Sequence, residues 1–310
     1  MPGHRSGSGA RATRSVLIWV VCSLWAAVSA AQELTPRAYW PAPKGTRVAV
    51  VGYSYAFGDV ATDPSLPIFG VDSKINTGFV AYFQTFNLWG RTSNILVELP
   101  YLRGTTVGTL EGEPRRRDLS GIGDLGVTLS VNLLGAPTMT LEQFQELRRN
   151  PHPILGASVK VVAPTGHYEV DKLINVGANR WAIKTQLGYM IPLTPRWLLE
   201  GELGAWFFGH NDEFLGVTRE QAPIIATGIH LVRRFKPGLW AALDLNFYTG
   251  GRSTVGGALS ADLQRNSRFG ATVAVPLGGR HAIKASYSTG VVTESGGDFD
   301  VFLLNYQLVF

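Results

Sequence analysis

The sequence predicts an all-β fold. The expected form is a transmembrane, antiparallel up-and-down β-barrel of about twelve strands, with long extracellular loops and one short periplasmic helix. Three observations predict it. Apolar side chains recur at every second position, in runs of about ten residues. The connections between runs alternate between short turns and long polar loops. The last stretch, VFLLNYQLVF (301–310), keeps its alternation to the final aromatic.

Composition agrees. The chain has 310 residues, 45% hydrophobic and 16% charged, with 36 Gly, 8 Trp and 10 Tyr. An ordinary soluble domain carries roughly 25% charge. No stretch approaches the roughly 20 apolar residues that a spanning helix needs.

The first thirty residues read as a signal peptide. Arg5, Arg11 and Arg14 make a basic start, and Val16 to Ala27 (VLIWVVCSLWAA) is a short apolar stretch. Val28 and Ala30 then occupy the small-residue positions of a cleavage site. The expected cut follows Ala30, with Ala31 as the alternative. Cleavage removes three Arg and no acid, so the net charge of +5 falls to +2. A mature chain so weakly basic is not a nucleic-acid binder. The one cysteine, Cys22, leaves with the signal peptide. That excludes a disulfide framework and thiolate chemistry. The expected organisation is therefore a signal peptide over 1–30, a short periplasmic segment over 31–45 and the barrel over 46–310.

Twelve alternating runs cover 46–57, 74–88, 93–102, 121–134, 154–163, 181–191, 197–208, 223–235, 239–249, 268–276, 281–289 and 300–310. Short turns such as WGRT (89–92), PLTPR (192–196), FKPG (235–238) and LGGR (277–280) join some of them. Long loops (58–73, 103–120, 164–180, 209–222, 250–267 and 290–299) join the others. One connection differs. Thr140 and Gln143 form a capping box, and Leu141, Phe144 and Leu147 share a face, which predicts a periplasmic helix over 140–149.

Closure explains the end of the sequence. In hydrocarbon every backbone N–H and C=O must be paired internally, so the last strand must meet the first. Phe302, Leu304, Tyr306, Leu308 and Phe310 then face lipid. Tyr306, Leu308 and Phe310 are similar to the terminal signal read by the barrel-assembly machinery.

Alternation also assigns the charges. With apolar positions on lipid, Glu98, Asp124, Lys160, Lys184, Glu200, Glu202, Asp244, Arg268 and Lys284 point into the lumen, as does His230. A charge at mid-membrane on the lipid face would cost about 2–4 kcal/mol, which constrains the assignment. Acids and bases nearly balance. Eight strands leave room only for side chains, and 16–18 leave an aqueous channel. Twelve permits either a narrow path or a plugged lumen.

The loops carry apolar groups among their charges. In PTGHYEVDKLINVGANR (164–180), Tyr168, Asp171, Lys172, Asn175 and Arg180 are candidate ligand contacts at a vestibule. The alternative is that the loops pack on themselves. The mature histidines, His152, His167, His210, His230 and His281, sit in no nucleophile pattern, so no catalytic residue is expected. The HNDE run (210–213) points its side chains in opposite directions and makes a poor metal cage. No metal and no cofactor is expected.

Several segments carry a resemblance: DPSLPIFGVDSKIN (63–76), LSVNLLGAP (129–137), APTGHYEVDKLINVGANRWAIK (163–184), GAWFFGHNDEFLGVTREQ (204–221) and STGVVTESGGDF (288–299). They resemble a family of bacterial outer-membrane proteins described as transporters linked to the meta-cleavage pathway of phenol degradation. The resemblance spans nearly all of the mature chain from about Tyr39. It implies uptake of small aromatic or hydrophobic compounds and carries over no binding residues.

The first reading is thus an outer-membrane channel for small molecules in a Gram-negative bacterium, not an enzyme. Its expected partners are outer-membrane lipid, the assembly machinery and a small-molecule solute; oligomeric state stays open. The alternatives are a structural or adhesive barrel with a plugged lumen, and a lipid-modifying barrel enzyme.

Overall fold

The computed structural model describes residues 34–59, 72–110, 113–293 and 298–310. The expected signal peptide and most of loop 58–73 lie outside them. In chain order the elements are β1 (Arg47–Gly58), β2 (Asp72–Leu88), β3 (Arg91–Leu110), β4 (Glu113–Ile122), β5 (Leu125–Leu134), α1 (Leu141–Arg149), β6 (Ile154–Ala163), β7 (Ala182–Pro192) and β8 (Trp197–Phe208). Then follow β9 (Asn211–Phe214), β10 (Val217–Gln221), β11 (Ile224–Lys236), β12 (Leu239–Gly250), β13 (Ser253–Val255), β14 (Ala258–Leu259), β15 (Gln264–Gly278), β16 (His281–Thr293) and β17 (Phe299–Val309).

Twelve antiparallel staves close on themselves. β17 returns to β1, with Val48 opposite Val309 and Gly58 opposite Phe299. β3 is long enough to serve two partners. Its first half pairs with β5, Ser93 opposite Val131, and its second half with β4, Tyr101 opposite Ile122. β4 and β5 therefore form one stave, interrupted at Gly123 and Asp124. At the opposite end from the long loops the turns are tight. Trp89 and Gly90 both take positive φ, 51° and 77°, as a two-residue hairpin turn requires.

Three of the expected long loops are partly strand. β3 and β4 continue as a hairpin through 103–120, and β9, β10, β13 and β14 make a separate four-stranded sheet from 209–222 and 250–267. Their sequences, such as EPRRRDLSGI in β4, lack one apolar face. A ladder held by backbone bonds rather than by a buried face leaves no period-two apolar signal.

The outer surface is a belt of exposed apolar side chains, among them Val51, Leu187, Leu203, Ile229, Leu243, Phe302 and Leu304. The inner face differs from the expectation that apolar groups turn outward throughout. At the periplasmic end Val48, Val50, Phe79, Phe83, Leu198, Val232 and Trp240 point inward and are buried. They can do so because α1 covers that end. Its Phe144 and Leu147 join the same cluster. α1 starts at a capping box, with Gln143 N–H donating to the Thr140 hydroxyl and Thr140 N–H donating to Gln143 Oε1 at 2.9 Å. It ends on Arg148 and Arg149, which suit the negative end of its dipole.

The N-terminal segment is a correction. It was expected as a short periplasmic stretch over 31–45. Its described residues 35–43 are all buried, and they reach side chains on β6 and β8 and the Gln186 carbonyl of β7 inside the barrel. Tyr39, Trp40 and Ala42 give the segment an apolar side, which is stable against the inner wall and not in water.

Candidate functional site: the lumen and the segment within it

Polar contacts along its length hold segment 34–43, and at its end the Pro43 carbonyl accepts from Thr85 Oγ1 at 2.5 Å. Thr35 Oγ1 donates to Glu202 Oε2 at 2.8 Å, and Arg37 N–H donates to Glu200 Oε2 at 2.5 Å. Tyr39 OH and Ser158 Oγ share a hydrogen bond of 2.9 Å. The Arg37 guanidinium lies 4.7 Å from the Trp40 ring and 5.2 Å from the Trp240 ring. Tyr39 rests on two glycines that face each other across β6 and β7, Gly156 and Gly188. A Cβ at either would lie 2.1 Å from a ring atom of Tyr39. Glycine is needed there because the ring occupies the space of a side chain.

A belt of charges crosses the wall beside this segment. His230 Nδ1 and Asp244 Oδ1 are 2.7 Å apart, and Thr272 Oγ1 donates to Asp244 Oδ2 at 2.8 Å. His230 Nε2 faces Glu202 Oε2 at 3.8 Å. Lys160 Nζ pairs with Glu98 Oε1 at 2.6 Å, both buried. Arg268 donates to Ser288 Oγ at 2.8 Å and lies 3.9 Å from the Phe299 ring centre. Lys284 stands 5.7 Å from the Trp240 ring, and Lys184 stands 5.8 Å from the Trp206 ring. Buried ions survive only when paired or hydrogen-bonded, and this belt is organised that way. Above it a second apolar cluster, with Val162, Trp206, Ile224 and Tyr248, lines the wall toward the loops.

Asp124 does not belong to this belt. It sits in the break between β4 and β5, where alternation no longer fixes a face. Its two oxygens accept from Gly166 N–H and Ala178 N–H, each at 2.8 Å, and so tie down both ends of loop 164–180.

The loop candidates are largely engaged within the loops. Asn175 is buried; its Oδ1 accepts from Glu169 N–H, and its Nδ2 donates to the carbonyls of Glu169 and Lys172. Arg180 is buried, donates to Gln221 Oε1 at 2.6 Å and lies 4.6 Å from the Phe208 ring. The Tyr168 hydroxyl accepts from Asn211 Nδ2 at 2.9 Å. Asp171 and Lys172 pair at 2.6 Å on the surface, which holds the Asp171 carboxyl below its usual range. Arg117 of β4 pairs with Glu169 and lowers that carboxyl in the same way. Ile174 and Val176 pack on Ile75 and Leu119 at the barrel mouth.

Sequence reasoning missed Thr35, Arg37, Tyr39 and Ser158. One signal was present. Gly156 and Gly188 occupy inward positions in neighbouring strands, and paired inward glycines mark a place where another group approaches closely.

The profile of the family described as "Putative MetA-pathway of phenol degradation" matches residues 43–298. The chain belongs to this family. Among curated protein sequences none matches the chain. Solved structures add the fold. The phenol-degradation family member described here superposes on an outer membrane channel from Pseudomonas putida F1 with a TM-score of 0.72, at 22% identity, over 90% of this chain and 100% of that one. It also superposes on the transport unit of the autotransporter AIDA-I from Escherichia coli with a TM-score of 0.52, at 11% identity, over 90% of this chain and 93% of that one. A closed barrel with an apolar outer belt, in this family, is a protein of the Gram-negative outer membrane.

Proposed function

We propose that this barrel is a gated outer-membrane channel for small molecules and has no catalytic role. The observation that carries the reading is the way segment 34–43 occupies the lumen. It donates hydrogen bonds to Glu200 and Glu202 and shares one with Ser158, contacts that can be broken and remade without unfolding a strand. The path it obstructs suits small aromatic or hydrophobic solutes. Trp206 and Tyr248 lie above the charged belt, and Phe79, Phe83 and Trp240 lie below it. A phenolic ring would meet apolar walls at both ends and hydroxyl acceptors between them. The family's association with phenol degradation and the likeness to an outer membrane channel support this reading. His230 and Asp244 could suggest hydrolysis. However, the free edge of that imidazole, Nε2, faces the Glu202 carboxylate where a nucleophile would stand.

Uptake by liposomes tests the proposal. Vesicles carrying the full-length protein should take up phenol and benzoate faster than empty vesicles, and a sugar no faster. Equal rates with and without protein would favour the second reading, a barrel permanently plugged. That reading rests on the same buried segment.

A further inference from the structure

The periplasmic rim holds a second feature that solute passage does not use. Beside the end of α1 lies a cavity of about 370 Å³. Five of its lining side chains are cationic: Arg148, Arg149, Arg196, Arg234 and Lys236. Among the described residues no carboxylate lines it. Arg149 reaches Glu146 at 3.5 Å, but both are largely exposed, and such a pair is weak. Arg234 is half-buried. Its Nη2 donates to the Arg148 carbonyl at 2.5 Å, and its guanidinium lies 5.0 Å from the Trp40 ring. Its Nη1 is buried without a hydrogen-bond partner among the described residues. A cavity edged by five cationic side chains, with Arg149, Arg196 and Lys236 exposed, attracts an anion.

The surface next door says which anion. Phe235 borders both this cavity and a groove of about 450 Å³ on the lipid-facing wall. Ala241, Ala271 and Ala285 form the groove's floor, and Leu231, Leu243, Tyr287 and Phe302 stand around it. It crosses from β11 to β17, four strand spacings, or about 19 Å. Arg233 stands at its near end. The Arg233 guanidinium lies 4.8 Å from the Trp197 ring and 5.3 Å from the Phe235 ring, a cation set in an aromatic girdle at headgroup depth.

We propose that this rim binds an anionic phospholipid of the periplasmic leaflet, its phosphate against the basic cavity and an acyl chain in the alanine-floored groove. An acidic peptide would satisfy the cations and leave the groove unused. A phospholipid matches both halves and their separation by one aromatic wall.

Native mass spectrometry of the full-length protein, purified in mild detergent, tests this. Phosphatidylglycerol should be retained about tenfold or more over phosphatidylcholine, and should survive a chase with inorganic phosphate. The triple variant R149Q/R196Q/K236Q changes only exposed side chains, so the barrel should keep its heat-dependent gel mobility. It should lose the preference. Ala271→Phe fills the groove and should also lower phosphatidylglycerol retention. Equal retention of the two lipids, or a preference unchanged in the triple variant, would overturn the proposal. Displacement of the lipid by phosphate would overturn it too and leave only a free-anion site.

Discussion

Thr35 Oγ1 and Glu202 Oε2 meet at 2.8 Å across 167 positions of sequence. Two residues on, Arg37 N–H meets Glu200 Oε2. β8 thus offers two carboxylates on its inner face, and the lumen segment takes both. A hydrogen bond to a charged group contributes about 1.5–3 kcal/mol. Replacing Glu202 by Ala should therefore shift the held-to-released ratio of the segment about thirtyfold toward release. Single-channel open probability is the readout, and Glu202→Ala should raise it.

The stacked Tyr39 gives an independent way to move the same segment. A Val at Gly156 would place side-chain atoms where the ring now lies. The segment must then leave, while β6 keeps its backbone pairing. The only cysteine of the chain is Cys22, in the expected signal peptide, so a cysteine introduced as Ala38→Cys reports alone. Ala38 is buried. Maleimide should label it slowly in the parent background and at least about tenfold faster with Gly156→Val, in line with a loss of roughly 1.4 kcal/mol of holding energy.

The barrel was legible because closure in lipid forces a period of two through every stave. All twelve staves coincide with alternating runs. β4 and the small sheet of β9, β10, β13 and β14 were not legible, because neither carries apolar residues at every second position. The charged belt could be read one residue at a time, as with Glu98 and Lys160. Their pairing could not, because β3 and β6 lie on either side of β5, and the two side chains meet over Gly126 and Thr128 of that strand. The segment at 34–43 was least legible. It forms no strand or helix, and its partners Glu200, Glu202 and Ser158 lie more than 100 residues away.

Glu98 and Lys160 predict a stability asymmetry. Lys160→Met alone removes the cation 2.6 Å from the buried Glu98 carboxylate and should destabilise by about 3–5 kcal/mol. Glu98→Gln combined with Lys160→Met removes both charges and should recover most of that loss. The midpoint of heat-induced mobility change in detergent measures both variants against the parent.

Arg117 and Glu169 predict a pH effect at the mouth. The Arg117 hydrogen bond holds the Glu169 carboxyl below the usual range. A depressed carboxylate contributes above its ordinary value of about 4.3, and the contribution is lost as pH falls through the lowered value. Loop 164–180 should therefore keep its hydrogen-exchange protection at neutral pH and lose part of it in acid. Glu169→Gln should show the acid pattern already at neutral pH.

Phe310 predicts an assembly defect. Its N–H donates to the Arg47 carbonyl at 3.1 Å, and its ring lies 6.3 Å from the Tyr82 ring, at the seam between β1 and β17. Removing it should reduce the fraction of chain that reaches the heat-modifiable, membrane-inserted form. Pulse-chase fractionation measures that fraction, and normal insertion would separate Phe310 from barrel closure.

Planar-bilayer recording of the full-length protein beside Glu200→Ala/Glu202→Ala tests the central claim most directly. The account predicts brief, rare openings in the parent, long openings in the double variant, and block of both by phenol but not by sugar. Two equally silent barrels, both folded, would contradict it. Segment 34–43 would then be a permanent part of the wall and not a gate.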